Sequence, residues 1–360
     1  MNKFKAFLAR KNIEIKASRY FVDAMGMMAL GLFATLLIGT IFGTLGDKLH
    51  LAFCNEIKTY AQASTGMAIG VAIAYALKAP PLVMLSCAVV GHIGNALPFV
   101  YGGTTLSAGP AGAFFAVIIA CEIGKMVSKE TPVDILVTPV TTILCGYGAG
   151  LIFCPVISVA IFYLAEFIGI TMAWAPLLMG FIVAVVVGMV LTLPISSAAL
   201  CAMILSPAII EASANSEAML LAGGAAAVGC CAQMVGFAVI SFRENRWGGV
   251  VAQGLGTSML QMGNIVKKPV IWLAPTLAGG ICGALSAVVF KLECSGVSAG
   301  MGTCGLVGPI GILAQSGSSA GVIAGVLILC IVAPALLSFV FDAILRRLRL
   351  VKTGDMKLDI

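Results

Sequence analysis

The sequence predicts an all-α polytopic membrane protein of about ten transmembrane helices, with re-entrant or broken half-helices among them. Three observations carry this. Hydrophobic residues make up 60% and charged residues 10% of the 360, and mean hydropathy is +1.09; a soluble domain is near half apolar and a quarter charged. The apolar runs are about 18–25 residues long, the length a helix needs to cross hydrocarbon, and the short alternating strands of a barrel are missing. Finally, basic residues concentrate at the two ends: Lys3, Lys5, Arg10, Lys11, Lys16 and Arg19, then Arg346, Arg347, Arg349, Lys352 and Lys357. Positive flanks stay on the cytoplasmic side, so both termini are expected inside and the number of spans even.

Residues 1–22 read as a basic amphipathic lead-in at the interface, without a signal-peptide cleavage pattern. Residues 23–344 form one transport domain with candidate halves 23–173 and 174–344, and 345–360 is a basic cytoplasmic tail. A first span covers 24–46, followed by a polar link. Apolar stretches lie near 62–77, 82–100, 111–127, 133–153, 154–173 and 176–193. After "LTLPISSAA" come 198–210, 218–242, 249–265, 270–290, 304–316 and 319–344. These are more segments than full spans. The 42 glycines and 14 prolines support close helix packing, or breaks whose freed backbone groups must face protein or water. "SFRENRWGG" at 241–249 reads as a short loop.

Laying 112–153 over 249–290 pairs Pro132-Val133 with Pro269-Val270 and Cys145-Gly146 with Cys282-Gly283. The echo suggests two inverted repeats, an architecture that puts solute sites on interrupted helices.

The segment "AQGLGTSMLQMGNIVKKP" at 252–269 is too polar to face lipid and too apolar for an ordinary loop. Gln253, Thr257, Gln261 and Asn264 fall at i, i+4, i+8 and i+11, one helical stripe. Such amides bond neighbouring helices or line a cavity for a neutral polyhydroxyl or zwitterionic solute. Glu122 stands in the apolar run "AFFAVIIACEIGKMV". An intramembrane carboxylate marks a functional site by default, unless it merely pairs with Lys125 or Lys129. His92 and Asn95 share a helical face before a break at Pro98 and Gly102-Gly103; they bind a polar ligand or another helix. Ser196 and Ser197 follow Pro194, the start pattern of a helix, whose N-terminus favours anions or hydroxyl oxygens. "GMGTCGLVGPIG" at 300–311 and "SAGPAG" at 107–112 are further Gly-rich breaks.

The 12 cysteines include no C-x-x-C and are joined by only two histidines, His50 and His92. They read as small buried residues rather than metal ligands. No phosphate-binding loop spacing occurs. No metal, cofactor or nucleic-acid partner is implied, and no catalytic set stands out.

The blocks "AGPAGAFFA…EIGK", "DILVTP", "LTLPISSAAL", "GCCAQMVGFAVISFRENRWGG", "QGLGTSMLQMGNIVKKP" and "AGMGTCGLVGPIG" resemble the second-type EIIC-like membrane family of the phosphotransferase system. That family includes bacterial perfringolysin O regulator proteins, and the resemblance spans about 20–340. It implies a homodimeric, multi-pass protein of the bacterial inner (plasma) membrane, related to sugar-translocating subunits. Such a permease works with a soluble IIB-like protein and a IIA partner, and the 360 residues hold no domain for either. Glucose-type EIIC subunits use a carboxylate and a histidine near the sugar; here only Glu122 and His92 match those types. The expected function is movement of a small polar solute, a sugar or related metabolite, across the bilayer. A non-transporting membrane sensor that regulates gene expression is the competing expectation, and an intramembrane enzyme a third.

Overall fold

The computed structural model describes residues 3–101, 104–193 and 196–358. They are almost wholly helical. Six described helices are long and apolar enough to cross a membrane: Arg19–Gly43, Gly109–Val127, Asp134–Trp174, Ser216–Ile240, Pro269–Phe290 and Ala320–Arg347. Five shorter apolar helices, Thr65–Ala76, Pro81–Ala96, Pro176–Thr192, Ser197–Ala212 and Cys304–Ser316, accompany them. The chain divides into two compact units, Met1–Leu164 and Ala165–Ile360, and the division falls within the helix Asp134–Trp174.

In the first unit, glycine sets the packing. Gly66 and Gly70 of one short helix lie against the backbone of Cys87 and Gly91 in the next, and Gly94 lies against Gly112. A side chain at any of these positions would hold the backbones apart. The stretch 82–100, expected as one span, stops as a helix at Ala96. Pro98–Tyr101 then pairs antiparallel with Thr104–Ser107, Phe99 opposite Leu106. β-branched residues on both arms and the aromatic Phe99 and Tyr101 on the first favour this ribbon. The expected break at Gly102-Gly103 lies outside the described residues, as do Pro194 and Ile195. The stretches 133–153 and 154–173, expected to be separate, are one 41-residue helix that carries Pro139 and Pro155.

In the second unit the central element is the helix Ser216–Ile240, buried along most of its length. Pro176–Thr192 and Pro269–Phe290 pack on it and on each other, with Gly188 and Gly229 at one crossing and Gly180 and Gly283 at another. Beyond Phe290 the chain turns at Lys291, a left-handed residue at φ 46°. Residues 291–295 then run irregularly along the central helix, where Cys294 donates its N–H to the Leu220 carbonyl at 3.0 Å. Gly223 and Gly224 permit this, because the carbonyls of Cys294 and Leu292 occupy the space their side chains would need. Irregular backbone buried among helices is the form tolerated at membrane depth.

The loop expected at 241–249 is helical over Phe242–Val251, with a kink at Arg246 (φ 51°). The basic tail also folds back. Val351, Met356 and Leu358 are buried, the first two among Phe237, Ile240, Ile265 and Leu345. The two stretches of the internal echo differ locally: Gly109–Val127 is continuous, whereas 249–267 is broken.

Candidate functional site

The helix Ser216–Ile240 carries one amide in its apolar middle, Gln233, which is 1% exposed. Trp272 Nε1 donates to its Oε1 at 3.1 Å, and its Nε2 donates to Thr276 Oγ1 at 2.9 Å. Thr192, the last residue of the helix Pro176–Thr192, donates to the same Oε1 at 3.5 Å. Its hydroxyl also lies 2.9 Å from that of Ser258. Thr192 and Ser258 are fully buried.

Interruptions of the chain meet here. One helix ends at Thr192. A second break falls at Gly256–Ser258, where Thr257 is extended (φ −159°) and accepts a hydrogen bond from Met259 N–H. A third is the Gly-rich turn at 302–306, left-handed at Gly302, Gly305 and Leu306. Gly302 rests on the backbone of Cys230 and Cys231, where a side chain would collide. Thr303 Oγ1 donates to the Gly254 carbonyl at 2.6 Å, tying the last two breaks together. Ser196 caps the helix Ser197–Ile204 by accepting from Ala199 N–H at 3.2 Å. Ser197 donates to the Gly300 carbonyl at 2.6 Å, just before the third break.

The set consists of one amide, several hydroxyls and one indole N–H. These neutral groups donate and accept, which suits a polyhydroxyl solute, and none is suited to general acid–base work near neutral pH. Among the described residues, no three His, Cys, Asp or Glu side chains are grouped as metal ligands.

The amides singled out in 252–269 do not form one stripe. The segment is a π turn, a 3-10 turn and a short helix in succession, so Thr257 leaves the row while the other three converge. Gln261 Nε2 donates to Gln253 Oε1 at 2.9 Å and to the Met356 carbonyl at 3.0 Å. Gln253 Nε2 donates to Ser241 Oγ at 2.9 Å. Asn264 Nδ2 donates to Gln261 Oε1 and to the Lys357 carbonyl, both at 2.9 Å. In place of an open cavity face, these amides hold the chain's own C-terminal segment. Glu244 accepts from the N–H groups of Gly354 and Met356, and Asn245 brackets Met356 and Leu358. Lys268 pairs with Asp355 at 2.6 Å. Burial alone would raise the Asp355 carboxyl, but Lys268 and the Lys352 N–H outweigh it and hold it below its usual range.

Glu122 belongs to the first unit, where it pairs with Lys125 at 2.7 Å and accepts from the Tyr20 hydroxyl at 3.2 Å. Lys125 is completely buried and donates to the carbonyls of Asn12 and Leu77, each at 3.1 Å. His92 and Asn95 lie apart from Glu122 along the neighbouring helix. Gly94 packs at Gly112 and Val83 at Gly124, so the two helices run antiparallel. Those pairings put His92 level with about Phe114 and Glu122 about eight residues further along, about 12 Å at 1.5 Å per residue. His92 is exposed and Asn95 half-buried.

Sequence reasoning passed over Gln233, Thr192, Thr276 and Trp272. A lone amide in the apolar helix around "GCCAQMVGF" was the available signal. Ser258 was missed because it lies off a stripe that assumed one continuous helix.

A family model described as "Phosphotransferase system, EIIC" matches residues 22–358. No curated protein matches the chain.

Proposed function

We propose, from the premise that this chain belongs to the phosphotransferase-system EIIC family, that it carries a sugar or related small polar solute past Gln233. Membership makes it an integral membrane protein of a transporter family whose EIIC domains work with separate IIA and IIB components. The supporting observation is the position of Gln233, with hydroxyl and indole partners, where breaks in the chain meet. Interrupted helices are where transporters hold solutes.

Solute hydroxyls would take the place of the internal bonds among Thr192, Ser258, Gln233 and Trp272. Exchanging hydrogen bonds costs little, whereas leaving a buried group unpaired costs about 1–3 kcal/mol. An apolar or underhydroxylated molecule would leave these groups unmatched and be rejected. The short segments after Gly256 and Gly302 can shift without unwinding a long helix, giving the site a way to open. Ser196 and Ser197 support the edge of this region. Glu122 holds Lys125 in the first unit and does not contact the solute. Homodimerisation and cytoplasmic termini, the latter favoured by the basic ends, complete the proposal.

The test is solute uptake by proteoliposomes, comparing wild type with Gln233→Leu, a substitution of similar size. Uptake lost in a folded Gln233→Leu protein supports the reading; unchanged uptake contradicts it. Binding without uptake in the wild type would favour the sensor.

A further inference from the structure

The first unit has a second polar feature that solute movement does not use. A cavity of about 290 Å³ lies among Arg10, Lys11, Lys78, Lys125, Lys129 and Glu130, near the lower end of ligand-site volumes. Five cations face one lining carboxylate there, and Glu122 behind Lys125 is a second. The cations come from separate stretches of chain: the N-terminal segment, the turn after Thr65–Ala76, and the last turn of Gly109–Val127 with the turn that follows it.

Part of this charge is accounted for internally. Lys125 bonds the carbonyls of Asn12 and Leu77, and Lys11 bonds that of Ser128. These contacts cap helix ends, where cations are favoured. Arg10 and Lys11 pair with Glu130 at 2.6 and 2.5 Å. The Lys11 hydrogen bond, with Arg10 and Lys11 charge, holds the Glu130 carboxyl below its usual range. Lys78 and Lys129 are different. Both are exposed and both have left-handed backbone, φ 55° and 59°. Each follows a helix end at a position where glycine is the usual residue. Lysine there ends a helix and also adds charge to a pocket that is already positive. Strained residues of this kind gather at ligand clamps.

We propose that this pocket binds a phosphate group, carried either by an anionic lipid headgroup or by a free phosphate compound. A phosphate has enough charge and acceptor oxygens to be shared by cations from several segments. A cleft with low-dielectric walls strengthens the field that draws it in. Bound phosphate would join the N-terminal segment to both helix ends.

The experiment uses the full chain in neutral detergent. Phosphatidylglycerol, phosphatidylcholine and inorganic phosphate are titrated separately, with melting temperature and native mass spectrometry as readouts. The variant is K78G/K129G, which removes two charges and places glycine where the backbone suits it; K78Q/K129Q is the second. Both should fold, and both should bind about tenfold more weakly, a difference of about 1.4 kcal/mol. Phosphatidylglycerol adducts displaced by phosphate and reduced in the variants identify a headgroup site. Stabilisation by phosphate, reduced in the variants and without selective lipid adducts, identifies a free phosphate ligand. Equal binding by wild type and both variants, or no stabilisation of wild type by either probe, overturns the proposal.

Discussion

The hydroxyls of Thr192 and Ser258 meet at 2.9 Å although they are 66 positions apart. One ends a helix and the other follows an extended break, and both are fully buried. Within its own helix the Thr192 hydroxyl reaches only the Gly188 carbonyl, at 3.5 Å, so Ser258 is its shorter contact. Gln233 extends the contact to Trp272 and Thr276, making a polar centre within an apolar unit.

Gln233→Leu should damage transport more than stability. It removes the partner of the Trp272 indole, at about 1–3 kcal/mol for a group left unsatisfied, while the Thr276 hydroxyl keeps its bond to the Trp272 carbonyl. Uptake per folded molecule should fall by at least about tenfold if the amide discriminates by hydrogen bonding. Melting temperature and uptake measured on the same preparation separate the two effects.

Gly229 and Gly263 should respond oppositely to alanine. A side chain at Gly229 meets the Ala184 carbonyl, whereas nothing lies within 4 Å of one at Gly263. Gly229→Ala should destabilise by about 1–3 kcal/mol. Gly263→Ala, in the helix Met262–Lys267, should be neutral or gain up to about 1 kcal/mol. Thermal unfolding of the two variants checks the difference in sign.

Glu122 and Lys125 should behave as a coupled pair. Removing one partner of a buried pair costs about 3–5 kcal/mol because the remaining charge is stranded. Glu122→Gln and Lys125→Met should each destabilise, and the double variant should lose less than their sum. A double-mutant cycle on melting measures this. If Glu122→Gln abolished uptake while leaving stability unchanged, the carboxylate would act in transport.

The C-terminal clasp should be insensitive to pH near neutrality. Asp355 titrates below its usual value of 3.8, so its contribution is present above about pH 4 and lost as pH falls through the lowered value. Hydrogen exchange in 352–358 should be constant from about pH 5 to 8 after correction for intrinsic rates, and protection should drop only in stronger acid. Met356→Ala, at a fully buried position, should weaken docking by about 2–5 kcal/mol at neutral pH.

Much of this was readable in the sequence for definite reasons. Apolar length announced the helices, and the glycines with amides announced that 252–269 is interrupted. The helix start at Ser196-Ser197 followed from its capping pattern. The partners of the amides were not readable: a spacing of i, i+4, i+8 assumes the continuous helix that those same glycines break. Once broken, the segment turns Gln261 and Asn264 toward the tail, Gln253 toward Gln261 and Ser241, and Ser258 toward Thr192. Glu122 was conspicuous as a charge, but only packing could show Lys125 wholly buried beside it. Gln233 drew little notice because one amide barely changes the hydropathy of a 25-residue helix.

The most direct measurement uses Trp272 as the reporter of the site. Trp174 and Trp247 are 87% and 73% exposed, so replacing both with Phe leaves one tryptophan against Gln233. Fluorescence of this protein is followed while sugars, polyols and amino acids are added. A saturable change with a sugar or polyol, lost in Gln233→Leu, is the predicted result. A solute that is transported while the Trp272 signal stays unchanged would place the solute elsewhere and contradict the account.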